Sequence, residues 1–395
     1  MRVPGTKTWA SAAWATLLLG LVGLVAAGCG FGSSGSSVGC GLAGTAVPGP
    51  APAAGSEFVF VPNALCAPGV ANDVMSVLVI NPDGSFSNGP VPLVQTGNEP
   101  VWAAVDPFNR FVYVTNLADN TVSAFTLDKT TGMVKAVPGS PFLAGTAPGA
   151  AAVDPSGTFL YVANDGSNNV SGFKINADGS LAKVSGSPFP AGTQPQQGIA
   201  VTAGFVYVSS QLSNDISVYS FDNTGSLTQL PTSPVKLAPA LTPQPESLAV
   251  DPLSQFLFTA NMTANNVSAF TVNGNGSLTQ AASSPFGVGF SSPQYLVTDR
   301  TGSFLYVVNV DNNTVTTYTI TPNTGALTQL GAALPTGNFP EGLAVDAANK
   351  FLLVANCSDA DLSVYSINNG ALTSLGPLIS NAIISCPQMV ATTHP

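Results

Sequence analysis

Charge is scarce in this chain. Only 8% of its 395 residues are Asp, Glu, Lys or Arg, with 10 basic against 20 acidic side chains and a formal net charge of −10. Without a basic face, nucleic acid is not expected as a partner, and an anionic membrane surface offers no electrostatic attraction. Histidine is scarcer still: His394, one residue from the end, is the only one. The many serines therefore have no internal histidine to activate them. P-loop, dinucleotide fingerprint and G-x-S-x-G elbow are all missing. No segment sustains apolar residues at helical spacing, and Gly or Pro interrupts every stretch where a helix would have to run. Past residue 27, no apolar run is long enough to span a bilayer.

What is present begins with targeting. Arg2 and Lys7 precede an apolar stretch from Trp9 to Ala27 that ends "LVAAGC" at Cys29. Residues 1–28 read as a lipoprotein-type signal, with small residues before Cys29 as in a lipobox and Cys29 as the lipidated residue. An ordinary cleaved signal and a retained anchor are the alternatives. Residues 29–56 are Gly/Ser-rich, then Pro/Ala-rich, and read as a flexible tether. The chain is thus expected to be an exported, membrane-anchored lipoprotein, periplasmic or at the cell surface. If Cys29 carries lipid, Cys40, Cys66, Cys357 and Cys386 remain, and an oxidising compartment permits disulfides among them.

Residues 57–395 repeat. A marker of the form P-x-x-x-A-V-D-P has its leading proline at 100, 148, 195, 245, 293, 340 and 387, at intervals of 48, 47, 50, 48, 47 and 47. Within 148–194, "GAAAVD" reads as a small first strand, "TFLYVAN" as a second alternating at period two, "VSGFKI" as a third and "LAKVSGSPF" as a fourth. The turn before each fourth strand carries glycine: 84, 132, 179, 225, 276, 325 and 370. Four strands per unit and seven units predict an all-β, seven-bladed β-propeller of four-stranded blades. The first hairpin, "EFVFVPN", lacks a preceding first strand, while the chain ends in "PQMVATTHP", a first strand with no hairpin after it. Ring closure by residues 387–393 resolves both, removes free sheet edges and makes the C-terminal strand essential.

"YVTN" at 113–116, "FLYVAN" at 159–164, the following V-S-x-F and G-S-L, and "SPF" at 140, 187 and 284 resemble the YVTN-type repeat of the seven-bladed, lactonase-like propellers, including 6-phosphogluconolactonase-like proteins. The resemblance covers residues 57–395. It implies hydrolysis or formation of lactones, with His, Arg and carboxylates around one mouth of the channel. This sequence departs from that set. His394 lies past the last strand, and the two arginines of the exported chain, Arg110 and Arg300, sit in turns after first strands, on the face away from the candidate mouth.

One position at the start of each first strand is occupied by Val101, Gly149, Gln197, Glu246, Gln294, Glu341 and Gln388. Five of these seven are Gln or Glu, which predicts a polar collar that binds a small ligand. Glu246 and Glu341 are its charges, candidates for acid–base work or for holding a divalent cation. No other cofactor is expected, and the alternative is a merely hydrated channel entrance. Asparagines closing the second strands (63, 116, 164, 261, 309 and 356) and aspartates ending the first strands (106, 154, 251, 299 and 346) read as structural. The acidic loop residues Asp119, Asp215, Asp311, Asp359 and Asp361 lack the spacing of a calcium loop. Cys357 and Cys386 fall on one face of the ring, where a bridge would staple the closing strand; Cys66 is a rival partner for Cys386.

Two functions follow. The first is a binding or scaffold module on the cell envelope, recognising a small carbohydrate-like ligand or an envelope protein. The alternative is a lactone hydrolase using an atypical channel-mouth site. The missing internal histidine and mouth arginine favour the first.

Overall fold

The computed structural model describes residues 48–64, 73–237, 243–287, 289–378, 384 and 386–395. The segment read as a signal, Cys29, Cys40 and Cys66 lie outside the described residues. Seven sheets form the seven blades of a propeller. Blade 1 contains Glu57–Asn63, Val74–Ile80 and Phe86–Gln95; its inner strand is Ala391–Thr392 from the far end of the chain. Blades 2 to 7 begin with Pro100–Val105, Pro148–Val153, Ile199–Thr202, Pro245–Val250, Pro293–Thr298 and Pro340–Val345. The closing strand pairs Thr392 with Val59 and Ala391 with Phe60, and Pro387 bridges Asn63. Thr393 Oγ1 accepts from the Phe58 amide at 3.2 Å.

Seven apolar clusters fill the seven spaces between adjacent blades. Period-two alternation explains this division. In the strand Phe159–Asn164, Leu160 and Val162 pack toward blade 2, while Phe159, Tyr161 and Ala163 pack toward blade 4. Both faces of a second strand are covered by neighbouring blades, so side chains pointing either way are buried.

The hairpin glycines have a second role besides their turns. All seven have positive φ, between 66° and 87°. A Cβ on each would also lie 2.1–2.8 Å from a phenylalanine ring of the preceding blade: Phe351 for Gly84, Phe58 for Gly132, and so on to Phe304 for Gly370. The Gly84–Phe351 contact joins blade 1 to blade 7, so the last interface is built like the other six. Tyr113, Tyr161 and Tyr207 reinforce the link by donating to the carbonyls of Gly179, Gly225 and Gly276 at 3.0–3.2 Å.

The aspartates and asparagines hold turns and loops. Each of Asp106, Asp154, Asp251, Asp299 and Asp346 accepts amides from the start of its second strand. Asn116, for example, donates to Thr121 and Ser123 and accepts from the Gly97 amide. The fourth strands are shorter than the sequence suggests: Leu181–Lys183 replaces the nine-residue reading. After Lys183 the chain bows out through Gly186, the Ser187 hydroxyl takes the Gly172 amide, and Phe189–Pro190 returns to pair with the third strand.

Candidate functional site

The inner strands converge on the axis, where small residues allow close approach. A Cβ on Gly149 would lie 2.0 Å from the Gln196 carbonyl oxygen, and one on Gly198 1.8 Å from Ser209 Oγ. Among these small residues stand Trp102 and Tyr295. Their ring centroids are 6.3 Å apart, and Trp102 donates to the Ala151 carbonyl at 2.9 Å. Together they floor one hollow, lined also by Val101, Leu117, Gly149, Gln196, Gln197 and Gln388. Its enclosed volume of about 20 Å³ is room for one water.

The turns that lead into the inner strands have an unusual backbone. The seven residues preceding the marker prolines, Glu99, Ala147, Gln194, Gln244, Ser292, Phe339 and Cys386, all have φ between 43° and 57°. Left-handed backbone before proline is unfavourable, so it must be held in place. In five cases an asparagine from the neighbouring blade accepts the amide: Asn120, Asn168, Asn214, Asn265 and Asn313. Asp73 accepts for Glu99. Ala360 occupies the corresponding position in blade 7, and there a disulfide joins Cys357 to Cys386. Just past the proline, the inner strands of blades 2, 6 and 7 shift register around the collar residue; blade 5 shifts between Pro245 and Leu248, a span that includes Glu246. A bulge of this kind re-aims a side chain away from the ladder.

The collar residues do not share one environment. Gln197 and Gln388 line the hollow. Gln197 precedes the shortened inner strand of blade 4, which begins at Ile199. Gln294 donates to Met262 Sδ at 3.9 Å, and the side-chain oxygens of Gln197 and Gln294 are buried without a hydrogen-bond partner among the described residues. Glu246 and Glu341 are only 2% and 7% exposed. Gln211 Nε2 donates a short hydrogen bond to Glu246 Oε1. Burial pushes the Glu246 carboxyl up to about 7; the Gln211 bond opposes this and the nearby Asp165 charge adds to it. Burial alone drives Glu341 well above the carboxylate range. Both carboxyls are close enough to Tyr295 to disfavour its ionisation, on top of its own burial. Asp165 is itself raised by burial, and its Oδ1 has no partner among the described residues.

Among the described residues, no three His, Cys, Asp or Glu side chains converge as a metal-binding set. Glu246 and Glu341 therefore have no third side chain of that kind beside them among the described residues. Asp119 and Asp359 are engaged by Asn98 and Asn338, and Asp215 by Lys236.

Gln211, Asp165, Trp102 and Tyr295 were not singled out from sequence. A signal existed for each. The residue after the closing asparagine runs Ala64, Leu117, Asp165, Gln211, Met262, Val310, Cys357 around the ring, and the residue after the collar runs Trp102, Ala150, Gly198, Ser247, Tyr295, Gly342, Met389. Polar outliers in the first series and aromatic outliers in the second mark the site.

Arg300 and His394 come together at the other end of the axis. They line a separate, larger hollow of about 280 Å³ whose walls are mainly the downstream halves of the inner strands. The collar carboxylates thus have neither as a neighbour.

The fold has many solved counterparts. A periplasmic gluconolactonase from Pseudomonas aeruginosa superposes with a TM-score of 0.72 at 19% identity, covering 86% of this chain and 99% of that one. A putative 6-phosphogluconolactonase from Bacteroides fragilis gives 0.72 at 18%, covering 86% and 98%. A protein from Lactobacillus plantarum gives 0.70 at 19%, covering 86% and 100%. No curated protein sequence matches. The family described as Lactonase, 7-bladed beta-propeller, matches residues 70–289 and 283–383, and the chain belongs to that family.

Proposed function

We propose that this protein hydrolyses a lactone at the Trp102/Tyr295 end of the channel, with Glu246 as general base and Glu341 as general acid. The observation that carries the reading is the pair of buried carboxyls beside Tyr295, with no cation close enough to act on either. Family membership and the gluconolactonase likenesses support hydrolysis over the scaffold reading. An exported protein would share its compartment with the periplasmic gluconolactonase of Pseudomonas aeruginosa.

In this mechanism, Glu246 is partly ionised near neutral pH and is held by Gln211. It takes a proton from water as the oxygen adds to the lactone carbonyl carbon. The tetrahedral intermediate then collapses with cleavage of the ring C–O bond. Glu341, kept protonated by burial, delivers its proton to the departing alkoxide. The products are one hydroxy acid and a protonated Glu246, which returns its proton to Glu341 through solvent. The amides of Gln197 and Gln388 would receive substrate oxygens above the floor. A base near pKa 7 suits this task, because it is available at neutral pH without being too weak to accept a proton.

The test is a panel of sugar and simple lactones, assayed with and without divalent cations. The expected result is cation-independent turnover whose kcat/KM rises with pH through about 7. Glu246→Gln should lower it by roughly 10²–10⁴-fold. Absence of turnover across the panel, or activity unchanged in both Glu246→Gln and Glu341→Gln, would refute the proposal.

A further inference from the structure

The hollow at the opposite end of the axis contains a cation that makes no ion pair among the described residues. Its walls include Val105, Ala152, Val297, Leu343 and Met389, with Arg300 and His394 as its ionisable groups. The Arg300 guanidinium hydrogen-bonds only neutral acceptors among the described residues: the Asp346 carbonyl at 3.3 Å, the Val345 carbonyl at 2.8 Å and the Thr392 hydroxyl at 3.3 Å. Its Nη1 has no partner among them. Asp346 and Glu57 are the carboxylates whose charge acts on it. The Ala347 and Ala348 amides occupy both Glu57 oxygens, the Lys350 and Phe351 amides share Asp346 Oδ1, and neither carboxylate forms an ion pair with the guanidinium. A partly desolvated guanidinium in apolar walls is costly unless an anion joins it.

His394 adds hydrogen-bonding capacity without charge. Its Nε2 lies 3.1 Å from the Val105 carbonyl, which can only accept, so Nε2 carries the proton and Nδ1 is an acceptor. Burial lowers its basicity, which agrees with a neutral ring. The hollow therefore offers one positive charge, one neutral imidazole and an apolar wall. That set matches a singly charged anion with an apolar body. A phosphate dianion would bring excess charge and lose its hydration against alanine, valine and leucine.

We propose that this hollow is a binding site for a small apolar monocarboxylate, whose carboxylate pairs with Arg300 while its hydrocarbon covers the inner-strand wall. The site is separate from the Glu246/Glu341 end and does not require that end to be catalytic.

The probes are hexanoate, hexanol and inorganic phosphate, titrated into the folded protein by calorimetry and ligand-observed NMR. Hexanoate should bind at least 10-fold more tightly than hexanol, and phosphate should not compete. Arg300→Gln should erase the preference for hexanoate over hexanol. Arg300 also ties the closing strand, so that variant could fail to fold; Ala152→Phe, which adds bulk to the hollow's wall at a residue that makes no hydrogen bond with Arg300, should then exclude both hexanoate and hexanol. Equal binding of hexanoate and hexanol to the unmodified protein, no hexanoate binding, or hexanoate binding unchanged in Ala152→Phe would each overturn the proposal.

Discussion

Glu246 should make the fold less stable as the pH rises, and the size of that effect can be worked out. Its carboxyl is 2% exposed and titrates near 7, against a reference of 4.5. The unfolded chain loses this proton near 4.5. Between that pH and about 7, the folded state binds a proton that the unfolded state has released. Folding is then favoured progressively less as pH rises, because the state binding more protons loses ground. The stabilisation is full below 4.5 and gone above about 7. A displacement from 4.5 to about 7 corresponds to ~3 kcal/mol at 1.36 kcal/mol per unit. Glu246→Gln keeps an acceptor for Gln211 and removes the titration. Urea denaturation of both proteins from pH 4.5 to 8 isolates the effect, since titrating groups that do not interact with Glu246 cancel in the difference. The variant should gain ~3 kcal/mol on the unmodified protein across that range. Parallel stability curves would refute the assignment, as would a variant that loses ground with rising pH. The gain in stability should accompany the loss of lactone turnover, the exchange expected when a strained group is kept for function.

The same logic extends to the architecture. Gly276→Ala would place a Cβ 2.1 Å from the Phe205 ring at a φ of 81°; a loss of ~3 kcal/mol or more is expected in urea denaturation. Gly204→Ala has a comparable φ of 93° but open space around it, so it should cost only ~1 kcal/mol; equal losses would show that the ring contact contributes nothing. Reducing the Cys357–Cys386 bridge, which spans 29 residues, should cost ~3–4 kcal/mol, read as a lower urea midpoint with dithiothreitol than without. Deleting residues 386–395 removes the inner strand of blade 1 together with its Thr393–Phe58 bond. It should lower thermal stability of the whole domain in one transition, and an unchanged melt would refute closure by this strand.

The fold was legible because propeller geometry repeats every requirement seven times. A second strand squeezed between two neighbours must be apolar on both faces, so "FLYVAN" and its relatives recur. A tight hairpin lying against a phenylalanine must be glycine, so Gly84 through Gly370 recur. What sequence could not show was the partner across the gap. The glycines were readable as turn residues, but their rings lie 66 to 74 residues earlier in the chain, or in blade 7 for Gly84, and only the stacked blades bring them together. The fourth strands were overread for a related reason. "LAKVSGSPF" has strand-like composition at both ends, while the Ser187 hydroxyl that takes over a ladder amide depends on tertiary placement.

The site was legible only in part, because chemistry here resides in departures from the repeat rather than in the repeat itself. Comparing one position around the ring found Glu246 and Glu341, since a carboxylate among glutamines and small residues stands out. Burial could not be read the same way. The collar read as a ligand-binding mouth or else a hydrated entrance, but two of its members are buried acids, with Trp102 and Tyr295 packed together at the next position along the inner strands. Those aromatics break the pattern only at the next position along the strand, and Gln211 and Asp165 only at a third. His394 shows the opposite case. Placed past the last strand, it looks like a tail residue. Closure of the ring carries it back to Asn109, whose side chain bonds both its amide and its carbonyl. A residue 285 positions distant in sequence thereby fixes the only histidine at the mouth of the Arg300 hollow. The closing strand that sequence assigned to stability thus also delivers His394 and Thr392 to a hollow that neither residue could form alone.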